Sequence, residues 1–447
     1  MNDERIDLYK HFERINYIDP SYYEKFRVKR GLRNADGTGV LAGMTNISNV
    51  HGYLLSDGDK LSDEGSLRLR GYEITDLLGE ESSTTRFSFE EVAYLLLLGE
   101  LPTRDQLDTF IAAIDAQREL PDGFTASMIL KDTPPDIMNV LARSILLLYA
   151  YDPNAEDRSP EHEINTAISL MSRVPRMMVL TYYAQQARYR NGSMIMHRFI
   201  PGQSTAETIL SMLRPNREFT PEEARMLDIM LCLHAEHGGG NNSTFTTRVM
   251  SSADTDPYSV YAAAICSLKG KKHGGANHQV RAMQADIKQH VSNWEDDDEV
   301  ADYLAKIVNK QAYDKSGLVY GMGHAVYTLS DPRAMICKKY AKKLAEGTEF
   351  EAEYRLLESI ERLAPEVILR ERGTKKDMCA NIDMYSGFVY SMMGIPEDLY
   401  TPLFACARMA GWAAHRFEEI VAGKRIIRPA YKSTRSGSRP YTPISER

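Results

Sequence analysis

Cysteine is scarce in this sequence: there are 5 among 447 residues, and the number is odd. A small fold held together by disulfides is therefore excluded, and reduced thiols are expected. Long apolar runs are also missing, because no stretch reaches the ~18–20 residues that a membrane span requires. Basic residues do not predominate, since 54 Lys and Arg stand against 62 Asp and Glu, a net charge of −8. We therefore expect neither a membrane protein nor a nonspecific nucleic-acid binder, which needs a basic face.

The first twenty residues lack the features of a targeting signal. They contain no apolar core segment, and they carry several acidic side chains. A secretory signal requires an apolar segment, and transit peptides are poor in acidic residues. We expect a cytoplasmic location.

What the sequence does contain is typical of a globular protein. Apolar residues make up 43% and charged residues 26%, which excludes general disorder. At ~100–200 residues per domain, the length predicts two or three domains, or one large body with a smaller appendage.

Helical patterns dominate the chain. Ser88 and Thr103 each stand three residues before a Glu or Gln, the spacing of a capping box at a helix start, and Ser159 and Thr220 are predicted N-caps. Pro160 and Pro221 follow a hydroxyl residue, as prolines do at the first helical position. Further helices are predicted at about residues 136–150, 161–190, 257–268, 276–291, 296–311, 332–346, 351–363, 377–393 and 400–421.

Strand patterns are confined to one place. Residues 40–53 and 67–72, with a glycine turn at 56–59 between them, predict a small antiparallel element near the N-terminus. No alternation of strands and helices follows, so a doubly wound parallel sheet is excluded. The predicted fold class is mainly α with this small antiparallel β element.

Histidines in glycine-rich settings are the first candidate functional residues. His234 and His237 lie at the end of a helical pattern, before Gly238–Gly240. Three interpretations are open. The segment is a helix-capping histidine beside a flexible loop, or the two histidines are metal ligands on one helix face, or they contact a ligand that the glycine backbone can approach closely. The spacing differs from that of zinc proteases and no third ligand lies nearby, so we expect no metal.

His273 lies just before a predicted helix start, within Gly270–Asn277. A helix dipole can keep such an imidazole neutral, and a neutral imidazole can donate a hydrogen bond to an enol or enolate. The alternative is an ordinary loop histidine. The lysines at 271 and 272 precede the glycines, so the segment is not a phosphate-binding P-loop.

Two further segments combine a charged or titratable group with a special setting. His324 follows Gly321–Gly323, and Asp331-Pro332 predicts a helix whose first turn holds Arg333, where a substrate carboxylate is favoured. Asp383 lies in the apolar stretch 378–393, where desolvation raises a carboxyl pKa and makes a better base. The alternatives are a surface arginine on a capped helix and a buried aspartate satisfied by local amides.

Two more arginines complete an inventory. Arg408 stands in the apolar stretch 403–412 and needs a partner for its charge, and Arg428 precedes Pro429. Together, the candidates comprise three acid–base imidazoles, the carboxylate base Asp383, and three arginines that could bind carboxylates: Arg333, Arg408 and Arg428. That inventory fits carbon–carbon bond formation on a polycarboxylate through an enol.

Six segments in this order resemble the citrate synthase family: residues 234–241, 272–277, 321–333, 381–387, 404–411 and 428–429. The resemblance covers about residues 40–430 and implies a mostly helical homodimer. It implies a large domain of residues 1–275 and 387–447, a small domain of residues 276–386, and a site in a cleft that closes on oxaloacetate.

The resemblance also implies roles for individual residues. Asp383 corresponds to the base that removes a methyl proton from acetyl-CoA, and His273 to the residue that stabilises the enol. Ser243 corresponds to a residue that orients this imidazole. His324 corresponds to the group that polarises the oxaloacetate carbonyl.

Substrate binding is implied in the same way. The oxaloacetate or citrate set comprises His237, Asn241, Arg333, Arg408 and Arg428, the last contributed across the dimer interface. Gly321, Met322 and Gly323 correspond to the backbone that recognises the adenine of CoA. No permanently bound cofactor is implied, and acetyl-CoA is the co-substrate.

One departure concerns CoA. Many relatives carry a basic residue that contacts the CoA phosphates at the position of Thr328, so other groups must do so here, with Lys271 and Lys272 as candidates. The nearest alternative activity is 2-methylcitrate synthase, which uses propionyl-CoA, because one methylene is worth only ~1–3 kcal/mol of discrimination. A non-catalytic regulator with this fold and a metallohydrolase are the alternatives from other classes.

Overall fold

The computed structural model describes residues 16–34, 36–56, 59–79, 86–373, 377–435 and 437–446. The chain divides into two compact units, residues 1–43 with 427–447 and residues 44–426. In the first unit, helix α1 (Ser21–Lys25) belongs to the N-terminal arm, and the Lys432 ammonium lies 5.4 Å from the Phe26 ring centroid. This unit therefore joins the two ends of the chain. The division does not test the expected domain boundaries at 275 and 386, which stay a prediction.

The second unit is built almost entirely from helices. Its described α-helices are α2 (Ile74–Leu77), α3 (Ser88–Leu98), α4 (Arg104–Ala116), α5 (Ile137–Leu148), α6 (Pro160–Tyr189), α7 (Thr205–Leu213), α8 (Pro221–Ala235), α9 (Asn242–Ser251), α10 (Pro257–Leu268), α11 (Ala276–His290), α12 (Asp297–Val308), α13 (Pro332–Ala345), α14 (Glu351–Arg372), α15 (Asp383–Met392) and α16 (Tyr400–Ala422). No helix of the described part is long and apolar enough to cross a membrane. The prediction of a mainly α fold is confirmed.

The β element is a three-stranded antiparallel sheet in the order β1 (Ser48–Ser56), β2 (Asp59–Leu69) and β3 (Tyr72–Glu73). The predicted antiparallel pairing is confirmed, but residues 40–47 are not part of a strand. The predicted turn includes residues 57 and 58, which lie outside the described residues. Leu67 and Leu69 of β2 are buried in the core.

Most predicted helix starts are confirmed. Thr103 and Thr220 both form complete capping boxes. The prediction at Ser88 is wrong, because Ser88 is the first residue inside α3 and its N-cap, Phe87, has no side-chain cap. The Asp228 carboxylate of α8 serves this helix end instead, accepting hydrogen bonds from the amides of Ser88 (2.9 Å) and Phe89 (3.0 Å).

Two predicted helix boundaries are also wrong. The pattern at 351–363 continues to Arg372, because buried Ala364 and Val367 extend the apolar face past Pro365. The pattern at 377–393 starts too early, because α15 begins at Asp383. Residues 379–381 instead pair with the loop at 321–323, so tertiary contacts overrule the local pattern.

Helix α16 lies at the centre of the second unit and packs against α3, α6, α8 and α9. All residues from Ala405 to Arg416 are buried. Arg416 forms a buried, bidentate ion pair with Glu163 of α6, in which Nε and Nη2 donate to the two carboxylate oxygens at 2.7 and 2.6 Å. This pairing compensates for the desolvation of both charges.

The cap of α3 by Asp228 yields a stability prediction. Asp228→Ala leaves two buried amides without an acceptor, so the free energy of unfolding in urea should fall by about 2–3 kcal/mol. Asp296→Ala is the matched control, because Asp296 also accepts from two amides at a helix start but is exposed. Its loss should be about 1 kcal/mol or less. Equal losses for the two variants would contradict the assignment of a buried cap.

Candidate active site

The second compact unit brings most of the sequence-predicted site residues into one cluster. His237 and His324 have ring centroids 5.1 Å apart. The Arg333 guanidinium and the Asp383 carboxyl are close enough for their charges to interact. The Arg408 charge lowers the pKa values of His237 and His273. Arg428 is the exception, since it is exposed and belongs to the unit formed by the chain ends.

The start of α15, which carries Asp383, is held against α11 at very short range. A Cβ on Gly387 would lie 2.5 Å from the Asn277 side-chain oxygen, so only glycine allows this approach. The Asn277 amide donates to the Ser386 hydroxyl beside it. The position of Asp383 therefore depends on close helix packing.

Asn381 connects the Asp383 helix to the His324 loop. Its side-chain amide donates to the carbonyl of Gly323 (2.9 Å), and its side-chain oxygen accepts from the Asp383 amide (3.0 Å). Its own amide donates to the carbonyl of Gly321 (2.9 Å). One asparagine thus sets the spacing between two candidate catalytic segments, a function that the sequence analysis did not assign to it.

The Asp383 carboxyl is a weaker acid than usual. Burial raises its pKa to about 6, the nearby Asp331 charge adds to this, and the Arg333 charge opposes it. The group is thus ionised near neutral pH and more basic than an ordinary aspartate, as the apolar stretch around it predicted.

His273 is a neutral imidazole whose tautomer is assigned by Ser243. The Ser243 amide (3.3 Å) and hydroxyl (2.8 Å) both lie at Nε2 of His273, and an amide can only donate. Nε2 is therefore an acceptor and Nδ1 carries the proton. Burial lowers the pKa of His273 to about 4, and the Arg408 charge adds to this. The cause is thus desolvation, where the sequence analysis had invoked a helix dipole.

Ser243 is itself fixed by its neighbours. The Trp412 indole of α16 donates to its hydroxyl (3.2 Å), and the side-chain oxygen of Asn241 lies 3.1 Å from the same hydroxyl. Asn241 is the N-cap of α9 and accepts from the Thr244 amide. The N-terminus of α9 and the buried Trp412 thus fix Ser243, which in turn orients His273.

His324 carries the opposite tautomer. The amides of Val326 and Tyr327 both donate to its Nδ1, at 3.1 and 3.2 Å, so the proton lies on Nε2. The ring stacks on Tyr327 with centroids 4.7 Å apart. The two imidazoles therefore offer N–H donors from different ring atoms, each set by backbone groups.

His234 and His237 do not share a helix face. Helix α8 ends at Ala235, so His237 lies in the extended segment beyond it, and the spacing argument for a shared face is wrong. His234 directs Nδ1 to the Met230 carbonyl at 2.8 Å. Nε2 of His237 lies 3.1 Å from the Tyr327 hydroxyl. Within the described ranges, no cluster of three or more His, Cys, Asp and Glu could hold a metal ion.

The two arginines of the cluster are both buried. Arg333 is paired with the helix-capping Asp331, at 3.1 and 2.8 Å, so it is not a simple surface residue. Arg408 donates through Nε to the His234 carbonyl at 2.6 Å, whereas its buried Nη1 has no hydrogen-bond partner in the described part of the protein. Burial lowers the pKa of Arg408 to about 10. Such a guanidinium favours a bound carboxylate.

A buried carboxylate behind this cluster was also missed by sequence analysis. Glu236 accepts from the Gly238 amide (2.6 Å), the Ser48 hydroxyl (2.8 Å) and His415 (2.8 Å). Burial raises its pKa, but the interactions with His415, Arg408 and the Ser48 hydroxyl outweigh burial and hold the pKa at about 2. The anion offsets the Arg408 charge from within the core.

The missed residues had weak signals. Glu236 stands next to His237, Asn381 lies two residues before Asp383, and Tyr327 lies three residues after His324. Nothing in a linear pattern says that their side chains turn toward the cluster, because that depends on contacts between distant segments.

Comparisons with known proteins assign this mainly helical fold to a family of enzymes. A family described as "Citrate synthase, C-terminal domain" matches residues 34–430. A citrate synthase of Haloferax volcanii is 34% identical over 94% of this chain and 99% of its own length. A 2-methylcitrate synthase of Corynebacterium glutamicum is 32% identical, with the same coverage of both chains.

Solved structures are similar as well. The citrate synthase of Thermoplasma acidophilum, described as a ternary complex with carboxymethyl coenzyme A and oxaloacetate, has a TM-score of 0.75 at 26% identity. It covers 94% of this chain and 99% of its own. The chain therefore belongs to the citrate synthase family, whose members are enzymes that catalyse an acyltransferase-type condensation.

Proposed function

We propose that this enzyme is a citrate synthase, which condenses acetyl-CoA with oxaloacetate and water to give citrate and CoA. The observation that carries the proposal is a base of raised pKa, Asp383, placed with two neutral imidazoles and the incompletely paired, buried Arg408. Each group suits one step of an enol-based condensation. No permanently bound cofactor takes part, and the acyl-CoA is a co-substrate.

The first step is enolisation of the acyl thioester. Asp383 removes a proton from the acetyl methyl, while the Nδ1–H of His273 donates to the thioester oxygen on which negative charge develops. A base and a donor acting together avoid a free enolate, since the methyl is a very weak acid. The low pKa of His273 keeps it neutral, so its Nδ1–H stays on the ring and stabilises the enolate oxygen by a hydrogen bond.

The second step joins the methylene carbon of the enolate to the ketone carbon of oxaloacetate. The Nε2–H of His324 polarises the ketone by a hydrogen bond to its oxygen, and the new hydroxyl takes up the proton equivalent that Asp383 removed from the methyl, so both side chains return to their starting states. Arg333, Arg408, His237 and Asn241 hold the carboxylates and the carbonyl, so orientation supplies part of the barrier reduction. Water then cleaves the citryl thioester and releases CoA. The backbone at 321–323 is proposed to recognise the adenine.

A second activity has specific support. Relatives named 2-methylcitrate synthase, from Corynebacterium glutamicum and Shewanella oneidensis, are 32% and 31% identical to this chain, against 34% for the citrate synthase of Haloferax volcanii. Both activities share the acid–base steps and differ by one methyl in the acyl pocket. Propionyl-CoA is therefore the alternative acyl donor.

The acyl donor is tested directly by CoA release in the presence of oxaloacetate. We expect kcat/KM for acetyl-CoA to exceed that for propionyl-CoA, measured side by side with a blank lacking substrate for the protein thiols. A preference for propionyl-CoA would assign 2-methylcitrate synthase. No release from either donor would overturn the proposed function.

The assignment of Asp383 as the base gives a mutational and a pH prediction. Asp383→Asn should lower kcat by roughly 10²–10⁴ and leave oxaloacetate binding nearly intact. Because the base acts when ionised and its pKa is about 6, wild-type turnover should rise with pH and level off above that value. Asp302→Asn, at an exposed site on α12, is the control. Near-normal turnover of Asp383→Asn would show that the base is another group.

We further propose a homodimer in the cytoplasm, with residues 276–386 moving as a small domain over the rest. Arg428 is proposed to complete the site of the partner subunit, which is consistent with its exposure and its place in the unit of the chain ends. Oxaloacetate would then be bound by residues from two chains.

Mixed dimers test the role of Arg428. Arg408→Ala and Arg428→Ala should each be nearly inactive. A dimer of one chain of each kind contains one intact site, so activity should return to about half of the wild-type value per dimer. Verified mixed dimers without restored activity would contradict a contribution of Arg428 across the interface.

A further inference from the structure

Tyr327 contacts three residues of the candidate active site and has no assigned role. Its ring stacks on His324 (centroid distance 4.7 Å), its hydroxyl lies 3.1 Å from Nε2 of His237, and the Arg333 guanidinium carbon lies 5.7 Å from its ring centroid. Only 2% of Tyr327 is exposed, so these contacts occur in a desolvated setting.

The direction of the hydrogen bonds follows from the chemistry of the partners. Arg333 can only donate, and its charge opposes the rise in the pKa of Tyr327 that burial causes. A buried phenol proton needs an acceptor, and Nε2 of His237, 3.1 Å away, is the acceptor within reach among the described residues. The phenol proton is therefore directed to Nε2 of His237. This leaves the proton of the neutral His237 ring on Nδ1, an atom without a protein partner among the described residues.

The hairpin of β1 and β2 packs directly against Tyr327. A Cβ on Gly52 would lie 2.7 Å from the Tyr327 Cα, and one on Gly65 would lie 2.8 Å from its ring. Two glycines, on neighbouring strands, are thus needed for the ring to lie where it does. No other residue type fits without moving Tyr327 or the loop.

Thr328 fastens the same loop to the hairpin. Its buried hydroxyl donates to the Gly52 carbonyl at 2.5 Å and accepts from the Asp63 amide at 3.1 Å. The Ser330 hydroxyl accepts from the Gly65 amide at 3.0 Å. At position 328, the expected place of a basic residue that contacts CoA, this chain has a threonine whose hydroxyl is used for hydrogen bonds within the protein.

We propose that Tyr327 is a positioning residue for oxaloacetate: it orients His237 and supports His324, and the β1–β2 hairpin holds it in place through Gly52, Gly65 and Thr328. The proposal rests on the proposed function, because it takes oxaloacetate as the ligand of His237. Tyr327 itself touches no reacting atom in this account. Its effect is transmitted through the two imidazoles.

The test is Tyr327→Phe, which keeps the stacked ring and removes only the hydroxyl. Calorimetric Kd and steady-state KM for oxaloacetate should both rise roughly two- to tenfold, the loss of one hydrogen bond. KM for the acyl-CoA should stay unchanged. Thr328→Val should raise the oxaloacetate KM in the same way, and Thr328→Ser, which restores the hydroxyl, should recover it.

Tyr303→Phe is the matched control. Tyr303 is also buried, stacks on a histidine (His290, 5.3 Å) and donates its hydroxyl to one residue (Asp286, 2.6 Å), but on α11 and α12. It should lower Tm without moving either KM. If Tyr327→Phe behaves like this control, with an unchanged oxaloacetate Kd, the role is structural only and the proposal is overturned.

Binding measured without acyl-CoA separates this proposal from the proposed function. A wild-type enzyme that binds oxaloacetate but releases no CoA overturns the condensation activity, while the ratio of Kd values still decides the role of Tyr327. A wild-type enzyme that does not bind oxaloacetate overturns both.

Discussion

The desolvation of charge along helix α16 is the constraint on which the rest of the molecule depends. This helix is buried from Ala405 to Arg416, yet it carries Arg408, His415 and Arg416. A charge in such surroundings requires a partner. Glu163 of α6 forms an ion pair with Arg416, and Glu236 accepts a hydrogen bond from His415, so two distant segments are held by the polar groups of this helix. Arg408 is only partly compensated: its Nε donates to the His234 carbonyl and the Glu236 charge offsets its own, while its Nη1 has no hydrogen-bond partner among the described residues and can bind an anion.

The same low-polarity interior sets the protonation of the site. Burial raises the pKa of Asp383 to about 6 and lowers that of His273 to about 4. The usual order of the two pKa values is thereby reversed, so that the carboxyl is the stronger base and the imidazole is a neutral hydrogen-bond donor. The donors that assign the tautomers are largely backbone amides, which cannot rotate away, so the direction of each imidazole N–H is part of the fold.

Short connections between segments far apart in sequence give the site its geometry. Asn381 ties the Asp383 helix to the loop before His324, and Gly387 lets that helix lie directly on α11. Tyr327 and Thr328 tie the loop after His324 to the N-terminal hairpin. The small sheet, which adds little to the core of a helical protein, is in this way a structural part of the candidate active site.

The sequence by itself determined the helical class, most helix starts, the antiparallel hairpin and the ordered segments by which the family was recognised. These are local properties, because capping, periodicity and motif spacing act over a few residues. It failed at Ser88, whose helix end is capped by Asp228 from another helix, and at residues 377–382, of which 379–381 pair with a distant loop. Only the tertiary structure decided the tautomers of His273 and His324, the separate orientation of His234 and His237, and the parts taken by Tyr327, Asn381 and Glu236. Most of these depend on desolvation and on groups supplied by segments far away in the chain. The amides that set the His324 tautomer are near in sequence, but they reach its ring only through the conformation of the folded loop, which no local pattern encodes.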